Sequence, residues 1–208
     1  MNIIKKLPEN LINQIAAGEV IERPSSALKE LLENSIDANA TEIDIYITDG
    51  GKTLIEVVDN GKGMTANDLK MCLQRHATSK ITDGDLVNIN SLGFRGEALP
   101  SIGSIADISI DSHDVNKNES WNISVINNTL KDIEPSVIRE GTKVTIRDLF
   151  SKVPARLKFL KTNGTEVRYC KEIVKHLAMS HPNIAFSFHT DAKKIFYWNK
   201  SEGINFLS

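Results

Sequence analysis

The chain has 208 residues, 40% hydrophobic and 25% charged, the composition of an ordered fold with a substantial core rather than of a disordered chain. Its formal net charge of −2 gives no global basic signal for nucleic acid, and two isolated cysteines without CxxC spacing argue against a disulfide framework or a cysteine zinc site. The length fits one large domain, or one domain and the start of another. The start Met1-Asn2-Ile3-Ile4-Lys5-Lys6-Leu7-Pro8 has no apolar signal region, and no run approaches membrane-spanning length. A cytoplasmic protein without a membrane partner is the expectation.

A short helix is predicted from Pro8 to Ala17, with Leu11, Ile12 and Ile15 on one side and Gly18 as its stop. A second helix runs from Pro24 to Asp37, with Leu28, Leu31, Leu32 and Ile36 as a core-facing stripe. At about 100° per residue from Leu28, Glu30, Asn34 and Asp37 fall at about 200°, 240° and 180°. A carboxylate, an amide and a second carboxylate thus share the face opposite the core. A solvated helix face has the same pattern, so these three residues alone decide nothing. Asn39 suits a left-handed cap in the turn that follows.

Ile43, Ile45 and Ile47 alternate with polar residues as a half-buried strand, and Asp49-Gly50-Gly51 is a hairpin signal. Lys52 to Val58 returns as its antiparallel neighbour and delivers Asp59 at its end. Thr65 opens a helix predicted to reach Arg75, with Asp68 three residues on. His76 to Gly96 has little periodicity and reads as a long loop of the kind that forms lids or binding loops. A helix begins at Glu97. Strands are predicted at Ala106–Asp111, Trp121–Ile126 and Thr142–Arg147, with a polar turn from Asp114 to Glu119. Helices follow at Pro154–Leu160 and Thr165–Met179, then strands at Ile184–His189 and Ile195–Trp198. These clusters predict an α+β two-layer sandwich, a mixed and mostly antiparallel sheet with helices on one face.

Several stretches carry chemistry. Asp59-Asn60-Gly61-Lys62-Gly63-Met64 is a turn signal. It also suits a purine site, where the strand-end carboxylate accepts from an exocyclic amine and glycines let backbone approach the ring. Leu92-Gly93-Phe94-Arg95-Gly96-Glu97-Ala98-Leu99 leads two glycines into a helix N-terminus, which is either an ordinary turn or a phosphate cradle. No GxxxxGK[ST] or GxGxxG occurs. Thr78, Ser79 and Lys80 offer hydroxyls and a cation for phosphate. His76 reads as a packed histidine, and the other four histidines receive no role. Thr142, after Gly141, could support a base through its hydroxyl or a water. Lys152, Arg156, Lys158 and Lys161 form a basic cluster, readable as a solvated helix face or as DNA contact.

The order of these stretches resembles the GHKL ATPases, which include gyrase B, heat-shock chaperones, histidine kinases and MutL. The resemblance to the MutL family is closer. It rests on Asn13 to Pro24, on Arg75 to Lys80, on Gly93 to Leu99, and on Asp148-Leu149-Phe150 with Pro154-Ala155-Arg156 and Lys158-Phe159-Leu160. It runs from about Leu7 to Leu160. Two residues depart from the family pattern: Asn39 stands where a glycine is usual, and Pro100 lies in the helix after the glycine turn.

The resemblance implies a Bergerat-type fold that binds ATP with Mg²⁺ and hydrolyses it, coupled to DNA mismatch repair. It implies that Glu30 orients or deprotonates the attacking water, that Asn34 gives the metal an oxygen, and that Asp59 holds the adenine amine, with Gly61, Gly63, Met64 and Thr142 around the base. Thr78, Ser79, Lys80, Gly93, Arg95, Gly96, Glu97, Ala98 and Leu99 would cradle phosphates. It further implies an ATPase domain over residues 1–200, with a dimerisation arm in the first 20 and a lid at about 76–96. Residues 201–208 would open a second domain. Implied partners are a second copy in the nucleotide-bound state, mismatched or single-stranded DNA held weakly, and other mismatch-repair proteins. A truncated nucleotide-binding module without efficient turnover is the alternative. A histidine-kinase domain is disfavoured, because no helix presents a phosphoacceptor histidine in a coiled-coil setting.

Overall fold

A computed structural model of the chain describes residues 5, 7–74, 77 and 96–200, without the side chains of Glu9 and Asn10. The expectations for His76, Thr78, Ser79, Lys80, Gly93 and Arg95, and for residues 201–208, lie outside the described residues.

The elements are α1 (Glu9–Val20), α2 (Pro24–Asp37), β1 (Glu42–Thr48), β2 (Leu54–Asp59), α3 (Ala66–Met71) and α4 (Ala98–Ile105). Then come β3 (Asp107–Asp114), β4 (Glu119–Ile126), β5 (Thr129–Leu130), β6 (Glu134–Pro135) and β7 (Thr142–Arg147). The chain continues as α5 (Pro154–Leu157), α6 (Asn163–Ser180), β8 (Ala185–Thr190) and β9 (Lys193–Trp198). Among the described residues they form a nine-stranded sheet of order β5-β4-β3-β7-β2-β1-β8-β9, with β6 on β4. Only β1 and β8 pair in parallel; the remaining pairs are antiparallel.

The register explains the core. One row across the sheet reads Phe188, Ile45, Val57, Val144, Ile110 and Ile123, and a parallel row reads Thr190, Ile47, Ile55, Ile146, Ile108 and Val125. These residues alternate with outward polar positions and bury their apolar groups against helices on one side. There α2 packs on α6 and β2, α1 on α4, α4 on β3, and α6 on β8. Leu28, Leu31 and Leu32 of α2 and Val174 and Ala178 of α6 join the same cluster. The two-layer α+β expectation holds.

Local signals explain several boundaries. Asn39 is left-handed at φ 59°, and Asp49-Gly50-Gly51 closes the β1–β2 hairpin with three positive φ angles. Thr65 caps α3, accepting from the Asp68 amide while donating to its carboxylate. That helix stops at Met71, short of the predicted Arg75: Cys72 forms its cap and Gln74 turns back onto the Met71 carbonyl. Gly18 does not end the first helix, which runs on to Val20. A Cβ on Gly18 would lie 1.8 Å from the Arg156 Nη2, so the glycine makes room for a guanidinium that also donates to the Ile21 carbonyl at 3.4 Å. The short strands β5 and β6 have no sequence signal beyond their turns.

Candidate functional site

The third row of the core-facing sheet surface turns polar in its middle. It reads Phe186, Ile43, Asp59, Thr142, Ser112 and Trp121. In the sequence each central member closes or opens an apolar alternation: Ile55-x-Val57-x-Asp59, Ile108-x-Ile110-x-Ser112 and Thr142-x-Val144-x-Ile146. Three adjacent strands thus place a carboxylate and two hydroxyls side by side where the pattern calls for core.

Asp59 is 7% exposed. Its Oδ2 accepts from the Ser35 hydroxyl at 2.7 Å, its Oδ1 from the Gly61 amide at 2.9 Å, and the carboxylate also accepts from the Thr142 amide. Burial pushes its pKa above the ordinary carboxylate value, and the three donors oppose that rise without cancelling it. A carboxylate has about four acceptor sites, so three donors leave room for one more. An amine is a fitting fourth.

The turn after Asp59 is held by close backbone approach. A Cβ on Gly63 (φ 67°) would lie 1.8 Å from the His113 carbonyl oxygen, and one on Gly141 (φ 62°) 1.8 Å from that of Asp59. Gly61 is packed against Ala38, which accepts from the Lys62 amide. Asn60 ties the strand end down, its side-chain oxygen accepting from the amides of Thr41 and Glu42. The Met64 amide donates to Ser112 Oγ at 2.9 Å, and Ser112 Oγ lies 2.9 Å from Thr142 Oγ1.

Helix α2 forms a second wall. Pro24 at its first turn fits the N-terminal preference of proline. Lys29 is its only exposed residue, so the solvated-face reading fails; Glu30, Asn34 and Asp37 are half-buried and each has an interaction partner. Glu30 and Asn34 are one turn apart, and Ser35, next to Asn34, bonds Asp59. The helix therefore joins the acid–amide pair directly to the strand-end carboxylate. Gly96, with φ 63°, leads into α4, whose cap is Glu97 and whose first turn holds Ala98, Leu99 and Pro100. Pro100 is accommodated there because first-turn amides have no intrahelical acceptor.

Of the expected site residues that are described, Asp59, Gly61, Gly63, Met64 and Thr142 lie in one bonded unit, to which Ser35 attaches α2 with Glu30 and Asn34. Gly96 to Leu99 stand at the entry of α4, which touches α2, and Glu97 has an interaction partner of its own. Ser35 and Ser112 were not anticipated. Ser112 left a signal, a polar residue at a core position of an alternating strand, whereas Ser35 left none beyond its place beside Asn34.

The solvated-face reading of the basic cluster needs correction. In the basic cluster, Lys152 is not at a solvated face: its Nζ donates to the Gly103 and Ala106 carbonyls at 3.1 and 2.8 Å and pairs with Asp107 at 3.1 Å, capping the end of α4. Arg156 packs on Gly18. Lys158 and Lys161 alone of the four are exposed. Cys72 and Cys170 are thiols whose pKa burial pushes up to about 12, so neither is a nucleophile near neutral pH.

The profile of the histidine kinase-, DNA gyrase B-, and HSP90-like ATPases matches residues 21–148. The chain is 47% identical over 195 residues to the DNA mismatch repair protein MutL of Bradyrhizobium diazoefficiens, covering 94% of this chain and 32% of that protein. It is 48% identical over 192 residues to MutL of Paramagnetospirillum magneticum, covering 92% and 32%. The chain thus spans about a third of the length of these curated relatives. Among solved structures, the Aquifex aeolicus MutL ATPase domain complexed with ADP superposes with a TM-score of 0.74 at 31% identity, covering 88% of this chain and 66% of that one. The N-terminal domain of a DNA repair protein gives 0.76 at 29% identity, covering 92% and 57%.

Proposed function

Since the chain belongs to the histidine kinase-, DNA gyrase B- and HSP90-like ATPases, and within them is an N-terminal ATPase domain of the MutL type, we propose that it binds ATP between α2 and the polar row of the sheet and hydrolyses it. The observation that carries this reading is the buried Asp59 carboxylate, held by three donors with one acceptor position to spare. That position takes the exocyclic amine of adenine. Gly61 and Gly63 let the turn approach the ring, and Thr142 supports its edge.

The acid–amide pair of α2 then stands at the phosphate end. Glu30 orients the attacking water and accepts its proton. Asn34 fits a magnesium ion: it is a neutral oxygen donor on a half-buried helix face, one turn from a carboxylate, and hard oxygen ligands suit this metal. Asn34 would give the ion its protein oxygen, and phosphate oxygens and water would complete its shell. When bound, Mg²⁺ neutralises developing charge on the phosphates. The first-turn amides of α4 after Gly96, with Gly93, Arg95, Thr78, Ser79 and Lys80, cradle the phosphates.

For the protein carrying this domain we propose the role that its MutL relatives' name states, DNA mismatch repair, with ATP turnover as a conformational switch. Dimerisation through the first 20 residues, closure of the 76–96 segment, contact with mismatched DNA, engagement of other repair proteins and a cytoplasmic location belong to the same reading. Among the described residues no helix is long and apolar enough to cross a membrane.

The test is a titration of ATP, by heat or fluorescence, into the chain and its Asp59→Asn variant. The amide lacks the charge that receives the amine, and affinity is expected to fall about tenfold or more. Equal affinity of the two proteins would overturn the adenine assignment.

A further inference from the structure

Ser112 is fully buried, lies outside every motif of the sequence, and joins two parts of the site. Its oxygen accepts the Met64 amide proton, so one question decides what the polar row presents: where the hydroxyl protons of Ser112 and Thr142 point.

Two acceptors lie within reach of the Ser112 proton. The Thr142 Oγ1 is at 2.9 Å, and the Gly141 carbonyl oxygen is at 3.4 Å. Hydroxyl hydrogen bonds cluster at about 2.5–3.0 Å, so the carbonyl contact is too long to satisfy a buried hydroxyl. That carbonyl already receives the His113 amide at 3.0 Å. If Thr142 donated to Ser112, the Ser112 proton would be left with this poor partner at a fully buried position, which is costly. The favourable arrangement has Ser112 donating to Thr142, and the Thr142 proton directed away from Ser112. Thr142 is the cross-strand neighbour of Asp59, so the row presents an acceptor and a donor side by side.

We infer that Ser112 is a positioning residue that sets the hydrogen-bonding polarity of the base site by fixing Thr142 as a donor beside the Asp59 acceptor, thereby selecting adenine over guanine. The inference rests on the adenine reading above and deepens it. Adenine offers an amine donor beside the ring N1 acceptor, matching acceptor and donor in turn. Guanine offers a carbonyl acceptor beside an N1–H donor, and each of its groups meets its like. A site built to hydrogen-bond one pattern rejects the other because buried polar groups are left unpaired.

The experiment measures affinities of the full chain for three triphosphates: ATP, 1-deaza-ATP, which lacks the N1 acceptor, and purine riboside triphosphate, which lacks the amine. The wild-type chain is expected to prefer ATP over each analogue by about tenfold. In Ser112→Ala the preference over 1-deaza-ATP is expected to collapse towards unity, while the preference over the amine-free analogue persists. A Ser112→Ala protein that weakens all three ligands equally, or keeps the full preference over 1-deaza-ATP, overturns the proposal and leaves Ser112 as scaffold. A wild-type chain indifferent to all three defeats the adenine reading itself, which is a distinct outcome. Should Ser112→Ala not fold, Ser112→Cys keeps the shape with a weaker donor. Its preference over 1-deaza-ATP is then expected between unity and the wild-type value, and a wild-type preference would again overturn the proposal.

Discussion

In the proposed reading Asp59 receives the adenine amine, and this comes at some expense to the free protein. Its folded pKa is raised above the ordinary 3.8, chiefly by burial. A carboxyl of this kind contributes stability that is fully present below about pH 3.8 and is lost as pH rises through its folded value. At neutral pH the ionised group is therefore a burden on the nucleotide-free fold. Asp59→Asn can keep its oxygen towards Gly61, with the Ser35 hydroxyl turned round to accept from the new amide. Thermal melts at pH 7 without nucleotide are expected to show a variant at least as stable as wild type, although it binds ATP more weakly. A clear drop in melting temperature would contradict this account. Gly63→Ala should behave oppositely: its Cβ meets a backbone carbonyl at 1.8 Å in a left-handed conformation, and denaturant titration is expected to show a loss of at least about 2 kcal/mol. Asp59 and the two glycines after it were legible because their signal is local, a carboxylate at a strand end followed by residues free of Cβ. Ser35 was not legible, because its role depends on how a helix docks on a strand 24 residues away.

Helix α2 is the element on which both ends of the site depend. Its apolar stripe and the Ser35–Asp59 bond fix it to the sheet, and the Lys29–Glu33 pair at 3.3 Å lies on its rim. Because Glu30 is separate from the base-binding residues, Glu30→Ala is expected to keep ATP affinity within about threefold and to lower turnover by at least about 100-fold. Surviving turnover would remove Glu30 as the base. The end of α4 depends on one buried cation instead. Lys152→Met deletes two carbonyl contacts and an ion pair while keeping much of the stem, and is expected to cost about 1–3 kcal/mol in denaturant titrations. Helix starts were legible where a cap or proline marks them, as at Thr65 and Pro24. The end of α1 was misread, because the meaning of Gly18 lies in an arginine more than 100 residues further along the chain, which makes a 135-residue-separated contact to Ile21.

At the scale of the whole molecule, that arginine couples distant segments. Gly18→Ala gains about 0.5–1 kcal/mol of helix preference but must push the Arg156 guanidinium aside. The two effects are expected to offset one another in wild type, whereas in an Arg156→Ala background the glycine substitution should stabilise by the full amount. A double-mutant cycle read by urea unfolding checks this, and strict additivity would deny the contact any energetic weight. The sheet was legible as mixed and mostly antiparallel from the clustering of strands. Its order was not, because strand neighbours are chosen by long-range pairing. β1 is the extreme case: Asp44 pairs with Ser187 across 143 residues. During synthesis at about 5–20 residues per second, one edge of β1 therefore waits roughly ten seconds for its partner strand to leave the ribosome. In that interval Ile43, Ile45 and Ile47 lie beside an open row of backbone donors and acceptors, a surface prone to pairing with other nascent chains. A strand paired along both edges in the finished sheet is thus, for the growing polypeptide, an open edge and an aggregation hazard.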